Sequence, residues 1–315
     1  MIIGCSLAIR RALKLAERFA LTRLPILLVG ATGTGKELFA EFIHARSGRP
    51  GPMVDVNCAA LPREMVESLL FGHRRGSFTG AIESVQGHIE RSSCGTLFLD
   101  ELGALVLEGQ AKLLRVLENG AVQALGSAVK ASIDLRVVSA VQYGILKDLE
   151  TGRFRRDLYQ RVAGVVIELP SLAARQEDIV PLSVHFAALN GQRLDPAGEQ
   201  ILLNHSWPGN VRELRLAIDR AGQLAEGTDI PATAVAEGIA LGGPMRVEDA
   251  GKTESRRSKP RRPQLRDAER LVRACESASW NIEKAARGLG VSRASLYRHL
   301  RIMGIQLGSV SRSQA

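Results

Sequence analysis

Apolar positions along the chain fall into two regimes. Between residues 7 and 21 they recur at three- and four-residue spacing, which predicts an amphipathic helix. Short continuous apolar runs then take over, at residues 26–29, 53–56, 96–99, 135–140 and 165–169. Runs this short read as strands buried on both faces, and helical patterns lie between them. Strands alternating with helices imply a parallel sheet flanked by helices, an α/β domain over residues 1–175. Beyond residue 175 the strand signal stops. Residues 178–189, 196–204, 210–224 and 231–238 read as four helices, which predicts a small helical domain over 176–243. Residues 244–263 hold seven Lys or Arg and three prolines and have no periodic apolar face, the pattern of a basic flexible linker. The helical pattern returns and predicts an all-α domain over 264–306, with a polar tail at 307–315. No internal repeat is visible.

Composition narrows the compartment. No apolar run approaches the roughly 18 residues of a membrane helix, and the chain reaches Arg10, Arg11 and Lys14 without a signal-peptide core. Cys5, Cys58, Cys94 and Cys275 are scattered, with neither a C-x-x-C pair nor histidines at metal-ligand spacing. Reduced thiols in a cytoplasmic protein, with no membrane partner, are the expectation. Charge adds more. Residues 1–243 carry 26 Lys and Arg against 26 Asp and Glu; residues 244–315 carry 16 against 7, which is the whole formal excess of +9. A basic C-terminal quarter on a neutral body is the footprint of a module that approaches a polyanion, although a solvated basic tail has the same composition.

Chemistry enters at the end of the first apolar run. Gly30-Ala31-Thr32-Gly33-Thr34-Gly35-Lys36 fits G-x-x-x-x-G-K between a strand and a helix. The glycines let backbone N–H groups wrap phosphates, the helix N-terminus adds partial positive charge, and Lys36 reaches the outer phosphates. Glu37 follows, where the general motif has a magnesium-holding Ser or Thr. Alone, such a loop could be no more than a tight glycine turn. Residues 95–101 supply the second element, an apolar strand ending in Asp100 and Glu101. Two carboxylates at the end of a buried strand are costly unless they meet a cation or water. Asp100 is then the magnesium partner and Glu101 the carboxylate that polarises the attacking water, so the pair of elements predicts an ATPase using ATP and Mg2+.

Further residues carry a family resemblance. Gly76-Ser77-Phe78-Thr79-Gly80-Ala81, after Leu70-Phe71-Gly72-His73, resembles the GAFTGA loop of sigma-54-dependent transcriptional activators, the bacterial enhancer-binding proteins. Asn57-Cys58-Ala59-Ala60-Leu61, the strand ending in Asp100-Glu101, the helix 110–117 and Trp207-Pro208-Gly209-Asn210-Val211-Arg212-Glu213-Leu214 match the same family, in which Glu37 is also usual. The resemblance implies an AAA+ P-loop domain with a helical lid, assembled as a ring, usually a hexamer, with ATP between subunits. It implies that Asn57 holds the catalytic glutamate until the γ-phosphate is sensed, and that Gln142 occupies the sensor position. Arg155 and Arg161 become fingers acting on the neighbouring subunit, Arg212 a nucleotide sensor within its own subunit, and residues 76–81 the contact to sigma-54 RNA polymerase, with Phe78 and Thr79 at the tip.

Three departures stand out. Ser77 replaces the usual Ala. The sensor strand ends Ser139-Ala140-Val141-Gln142 in place of Ala-Ala-Thr-Asn, and Leu169-Pro170-Ser171-Leu172-Ala173-Ala174-Arg175 stands where the family has Pro-Pro-Leu-Arg-Glu-Arg. A reduced or conditional ATPase, or a mixed ring with a related subunit, is the corresponding expectation.

At the C-terminal end, residues 281–292 read as a helix, a glycine turn and a second helix capped by Ser292. This resembles the Fis-type helix-turn-helix of the same family, which dimerises on double-stranded DNA. Ser292, Arg293, Ser295, Tyr297, Arg298 and Arg301 are its candidate DNA contacts, the early residues in the major groove and the later arginines on phosphates. The sheet begins almost at Met1, so control by a separate protein in trans is expected. The alternative reading is an AAA+ DNA-binding regulator that works without sigma-54.

Overall fold

The computed structural model describes residues 2–242 and, toward the C-terminus, residues 275, 277, 278, 282–288 and 296. The chain divides into two compact units, Met1–Met245 and Arg246–Ala315.

In the first unit, α1 (Leu7–Ala20), β1 (Ile26–Val29), α2 (Lys36–Arg46) and β2 (Met53–Asn57) are followed by α3 (Val66–Phe71) and a hairpin of β3 (Gly72–His73) and β4 (Val85–Gln86). Then come α4 (His88–Arg91), β5 (Thr96–Asp100), α5 (Leu107–Asn119), the short pair β6 (Ala121–Val122) and β7 (Ala131–Ser132), β8 (Arg136–Val141), α6 (Ile145–Glu150), α7 (Arg156–Val162) and β9 (Val165–Glu168). Five strands form one all-parallel sheet in the order β2-β5-β8-β1-β9. Every residue of β1 and β8 is buried, as expected of strands covered by helices on both faces. Two apolar clusters lie against the sheet. One centres on Leu27, Leu97, Leu99, Leu113 and Leu158, the other on Ile26, Leu28, Phe39, Phe98 and Ile167.

Helix α1 illustrates how the sequence makes the second cluster. Ser6 caps it by accepting the Ile9 N–H, and Ile9, Ala12, Ala16 and Ala20 form its buried stripe. Three alanines on that stripe let the helix sit close to its neighbours. Arg136, buried at the start of β8, donates to the carbonyls of Phe19 and Thr22 and so closes the helix C-terminus.

Sheet order positions the site. The chain leaves β1 for the far edge at β2, returns through β5 and β8, and ends on the other side of β1 with β9. In open parallel sheets ligands sit outside the carboxyl ends of the strands where the order reverses. The register brings those ends together: Val29 pairs with Val141 and Glu168, and Asn57 pairs with Asp100.

The helical part of this unit comprises α8 (Ile179–Leu189), a two-residue parallel pairing of β10 (Arg193–Leu194) with β11 (Asp229–Ile230), α9 (Pro196–Leu203), α10 (Asn210–Leu224) and α11 (Ala232–Ala240). Asp195 accepts the Ala197 N–H, and Pro196 opens α9. Trp207, 1% exposed, is the largest side chain of this core, and its indole N–H is satisfied by the Leu202 carbonyl at 2.8 Å.

In the second unit α12 (Ile282–Gly288) buries Ala285 and Ala286, and Cys275, Ala278 and Leu296 are buried as well. The linker at 244–263, the tail and the six candidate DNA contacts, Ser292, Arg293, Ser295, Tyr297, Arg298 and Arg301, lie outside the described residues. Among the described residues no helix is long and apolar enough to cross a membrane.

Candidate active site

The glycine loop joins β1 to α2. Gly33 and Gly35 have φ of +78° and +100°, where side-chain-bearing residues are strained. At Gly33 space is forbidden too, since a Cβ would come within 2.3 Å of the Gly209 carbonyl oxygen. Thr34 Oγ1 donates to the Ala31 carbonyl at 2.8 Å and closes the loop. The Gly30 N–H donates to Val141 O of β8 at 3.2 Å, which fixes the loop's start to the sheet. Lys36, almost fully buried, turns its Nζ back into the loop and donates to the carbonyls of Gly30 and Ala31 at 2.9 and 3.0 Å. Burial pushes this ammonium below its ordinary pKa, Asp100 and Glu101 draw it back up, and Arg212 pushes it down again. Lys36, both carboxylates and Arg212 thus share one electrostatic neighbourhood. Ala31 is partly buried, Thr32 is exposed at the loop's outer edge, and Glu37 is exposed in the first turn of α2.

The acidic pair ends β5. Asp100 Oδ1 accepts the Glu101 N–H at 2.9 Å, and Glu101 takes φ +50°, a left-handed conformation unusual for glutamate. Non-glycine residues held there store strain, of order 1–3 kcal/mol, and such residues cluster at functional sites. Glu101 and Gln142 line one cleft with Val141, Ile145 and Asp148, so the residues that directly follow β5 and β8 face a common space. Asn57 pairs with Asp100 across the strands, but its Oδ1 accepts the N–H groups of Ala59 and Ala60 at 2.9 and 3.2 Å. Among the described residues it makes no hydrogen bond to Glu101.

The helical part grips the loop from the other side. Asn210, at φ +55°, donates from Nδ2 to Thr32 O at 2.9 Å and accepts the Leu172 N–H at 2.8 Å; the Val211 N–H donates to Gly33 O at 3.0 Å. The next residue, Arg212, lies exposed with its stem against Gly33. Arg175, 2% exposed, donates to Thr34 O at 3.0 Å and faces Asp178 at 3.9 Å. Asp178 is fully buried. Its Oδ1 accepts the N–H groups of Cys5 and Ser6 at 2.5 and 2.8 Å, and its Oδ2 accepts the Ser6 hydroxyl at 2.7 Å. One buried chain of contacts therefore runs from the segment before α1, through Asp178 and Arg175, to the glycine loop. In the sequence Asn210 and Arg175 appear only as members of longer family-like stretches, with no site role assigned to either, and Asp178 stands in no motif. An Arg and an Asp three apart, where the strand signal ends, are the only local hint. Ala173 and Ala174 are exposed, so the charges missing from this segment are solvent-facing ones, and the inward-facing Arg175 is present.

Arg155 and Arg161 sit at the start and in the last turn of α7, both exposed. Arg155 Nε and Nη2 hold the Asp157 carboxylate at 3.0 and 2.7 Å, and Arg161 Nε and Nη2 donate to Leu117 O at 3.2 and 2.5 Å. Among the described residues neither guanidinium contacts the glycine loop, Asp100 or Glu101.

The loop 76–81 projects from the β3–β4 hairpin. Gly76 and Gly80 have φ of +79° and +98° with open space where a Cβ would be, and the Gly76 N–H donates to Ala81 O at 2.8 Å, which closes the hexapeptide. Thr79 is exposed and Phe78 is 47% exposed, its ring 5.0 Å from that of His73. The loop between β6 and β7 braces the base of this hairpin. Leu125 N–H donates to Gly72 O and Arg74 N–H to Leu125 O, both at 2.9 Å, and Ser77 packs on Gly126.

A glycine loop, a buried lysine and a carboxylate pair at the carboxyl ends of a parallel sheet define a P-loop site of AAA+ architecture. Comparison with known proteins agrees. Residues 2–168, more than half of the chain, match the Sigma-54 interaction domain; residues 173–249 match an AAA+ ATPase lid domain and residues 264–301 the Fis family of bacterial regulatory proteins. The chain is 40% identical to the nitric oxide reductase transcription regulator NorR1 of Cupriavidus necator, over 96% of its own length and 63% of that protein's. It is 37% identical to the transcriptional regulatory protein ZraR of Salmonella typhimurium, over 95% and 68% respectively. The crystal structure of NtrX from Brucella abortus in complex with ADP superposes with a TM-score of 0.69 at 31% identity, covering 96% of this chain and 69% of that one. The chain belongs to the family of sigma-54-dependent transcriptional regulators that carry this interaction domain.

Proposed function

We propose that the protein activates transcription by remodelling a sigma-54 RNA polymerase complex, driven by ATP hydrolysis in a ring of subunits. The observation that carries this reading is the coexistence, in one unit, of the Lys36–Asp100–Glu101 site with a projecting glycine-bracketed loop that exposes Phe78 and Thr79. A loop closed on itself at Gly76 and Ala81 and braced by Leu125 suits a contact made and withdrawn with nucleotide state.

In this reading the backbone of residues 30–36 cradles the ATP phosphates and Lys36 meets the outer ones. The donor set fits magnesium. Among the described residues no three His, Cys, Asp or Glu side chains are grouped as a metal cage, while Asp100 stands half-buried at the strand end. Magnesium is typically held by one or two carboxylates together with substrate phosphates, and that is what Asp100 beside the glycine loop supplies. When bound, the ion would neutralise developing phosphate charge. Glu101 polarises the attacking water, Gln142 across the cleft senses the phosphate, and Arg212 reads nucleotide occupancy from the lid side. Asn57 acts as the switch partner of Glu101 by turning its amide from Ala59 and Ala60. Glu37, at the start of α2 and close enough to Asp55 to raise its pKa, stands where other P-loop proteins carry the hydroxyl.

Arg155 and Arg161, exposed and away from their own loop, serve as fingers for the neighbouring subunit of a ring, a hexamer or a mixed ring with a related chain. The Fis-type residues 264–301 tether the assembly, as a dimer, to double-stranded DNA upstream of the promoter through Ser292, Arg293, Ser295, Tyr297, Arg298 and Arg301. The protein acts in the cytoplasm under control of a partner protein in trans.

The test separates ATP hydrolysis from the polymerase contact. Thr79→Ala removes one exposed hydroxyl from a loop that touches neither Lys36 nor Glu101, so steady-state ATPase should stay near wild type. Open-complex formation on a sigma-54 promoter should fall by roughly tenfold or more, the equivalent of one lost interfacial hydrogen bond of about 1.4 kcal/mol repeated around a ring. Undiminished open-complex formation by this variant would overturn the assignment of the loop.

A further inference from the structure

Among the buried polar side chains outside the nucleotide site, Gln110 stands apart. It lies in the first turn of α5 and is 0% exposed. Its Nε2 donates to Leu105 O at 2.7 Å and to Arg153 O at 3.1 Å, and its Oε1 accepts the Arg155 N–H at 2.9 Å. Both amide hydrogens and the amide oxygen are therefore used. They tie the backbone just before α5 to a segment 43 to 45 residues further along the chain. Leu105 ends the short 3-10 turn Leu102–Ala104, which begins directly after Glu101 and is closed by the Ala104 N–H to Glu101 O at 2.8 Å. Arg155 is the N-cap of α7, preceded by the buried Phe154. One side chain thus clamps the backbone from which the Arg155 guanidinium projects, and it anchors that clamp on the turn next to the water-polarising carboxylate.

We propose that Gln110 is a positioning residue for the arginine fingers. It fixes the start of α7, and through it the reach of Arg155 and Arg161 toward the next subunit. The inference rests on the reading of these arginines as fingers acting in trans. A Gln is suited to this where an apolar residue is not. Loss of the amide would deprive the buried Leu105 O and the part-buried Arg153 O and Arg155 N–H of this partner, and a turn freed of those bonds relaxes away from its present course. Misplacement of a catalytic group by about 1 Å costs roughly 10²-fold in rate, so a small shift of α7 is sufficient.

Mixed rings test the idea with the full-length chain. A subunit carrying Arg155→Ala and Arg161→Ala keeps its own nucleotide site but donates no finger. A subunit carrying Glu101→Gln donates fingers but does not hydrolyse. Each alone is expected to be inactive, and the mixture active. Gln110→Met added to the finger-donating subunit should then reduce ATP turnover of the mixture by roughly 10²-fold. The same change added to the finger-less subunit should leave most of the activity, which also shows that the variant folds and assembles. Equal loss from either placement, or no loss from either, would overturn the proposal. If the mixture is inactive before Gln110 is altered, the trans reading itself fails and takes the proposal with it. Should Gln110→Met subunits not fold, Gln110→Asn, one methylene shorter with the amide kept, is expected to show the same asymmetry, and its absence there overturns the proposal equally.

Discussion

Glu101→Gln is expected to bind ATP about as well as wild type and to hydrolyse it roughly 10²–10⁴-fold more slowly, the usual contribution of a positioned general base. The substitution is nearly isosteric, so the left-handed turn at φ +50° and the bond from its N–H to Asp100 Oδ1 are retained, and the glycine loop and Lys36 are not disturbed. Only the proton-accepting capacity is lost. Phosphate release under saturating ATP, beside titration with a fluorescent nucleotide, separates the two effects. Turnover close to wild type would mean that the water is activated elsewhere and that the strain stored at residue 101 serves another purpose.

Asp178→Ala is expected to cost about 3–5 kcal/mol, because it leaves the Arg175 guanidinium buried without its counter-charge. The backbone N–H groups of Cys5 and Ser6 lose their acceptor in the same step. For a unit of this size the loss corresponds to a fall in Tm of roughly 6–20 °C. Acidity reports on the same group. Burial by itself would raise the Asp178 pKa, but the Ser6 hydroxyl, the N–H groups of Ser6 and Cys5 and the Arg175 charge outweigh it and hold the carboxyl below the ordinary range. A depressed folded-state pKa stabilises the fold fully above the unfolded value, near 4, and that stability drains away as pH falls below it. The difference in Tm between wild type and Asp178→Ala should therefore be constant at neutral pH and shrink as the pH drops below about 4. A difference that stays flat into strong acid would contradict the ion pair. Nucleotide affinity should weaken as well, since Arg175 holds the Thr34 carbonyl in the phosphate loop.

What is legible in the sequence follows a physical pattern. The inner strands β1, β5 and β8 are readable because they are buried on both faces or nearly so, and burial writes a continuous apolar run: 26–29 is the strand Ile26–Val29, and 96–99 is Thr96–Asp100 short of its carboxylate. The edge strands β2 and β9 alternate buried and exposed residues and are readable from shorter apolar stretches. The four lid helices are readable from their apolar spacing, to within a residue or two at their ends. The two-residue pieces β3, β4, β6, β7, β10 and β11 carry too few positions for any periodicity. Site residues divide in the same way. Lys36, Asp100 and Glu101 stand in contiguous motifs whose chemistry is local. Arg175, Asp178, Asn210 and Gln110 each hold a group 141, 172, 38 and 45 residues away, respectively, so the chain around them does not declare these long-range contacts. Asn210 is visible in the sequence only as part of the Trp207–Leu214 motif, without its task of tying Thr32 to Leu172. Positive φ at Glu101, Trp207 and Asn210 is equally hidden, because glycine is the residue favoured at such places and the fold overrides that preference here.

In the proposed function, ATP hydrolysis at Lys36, Asp100 and Glu101 drives remodelling of a sigma-54 RNA polymerase complex through the loop at Phe78 and Thr79. The most direct measurement is open-complex formation by the wild-type protein on a sigma-54 promoter, with ATP and with a non-hydrolysable analogue, each with and without sigma-54 in the polymerase. Open complexes are expected only with ATP and only with sigma-54. Promoter opening that proceeds equally with the analogue, or with polymerase lacking sigma-54, would contradict that function.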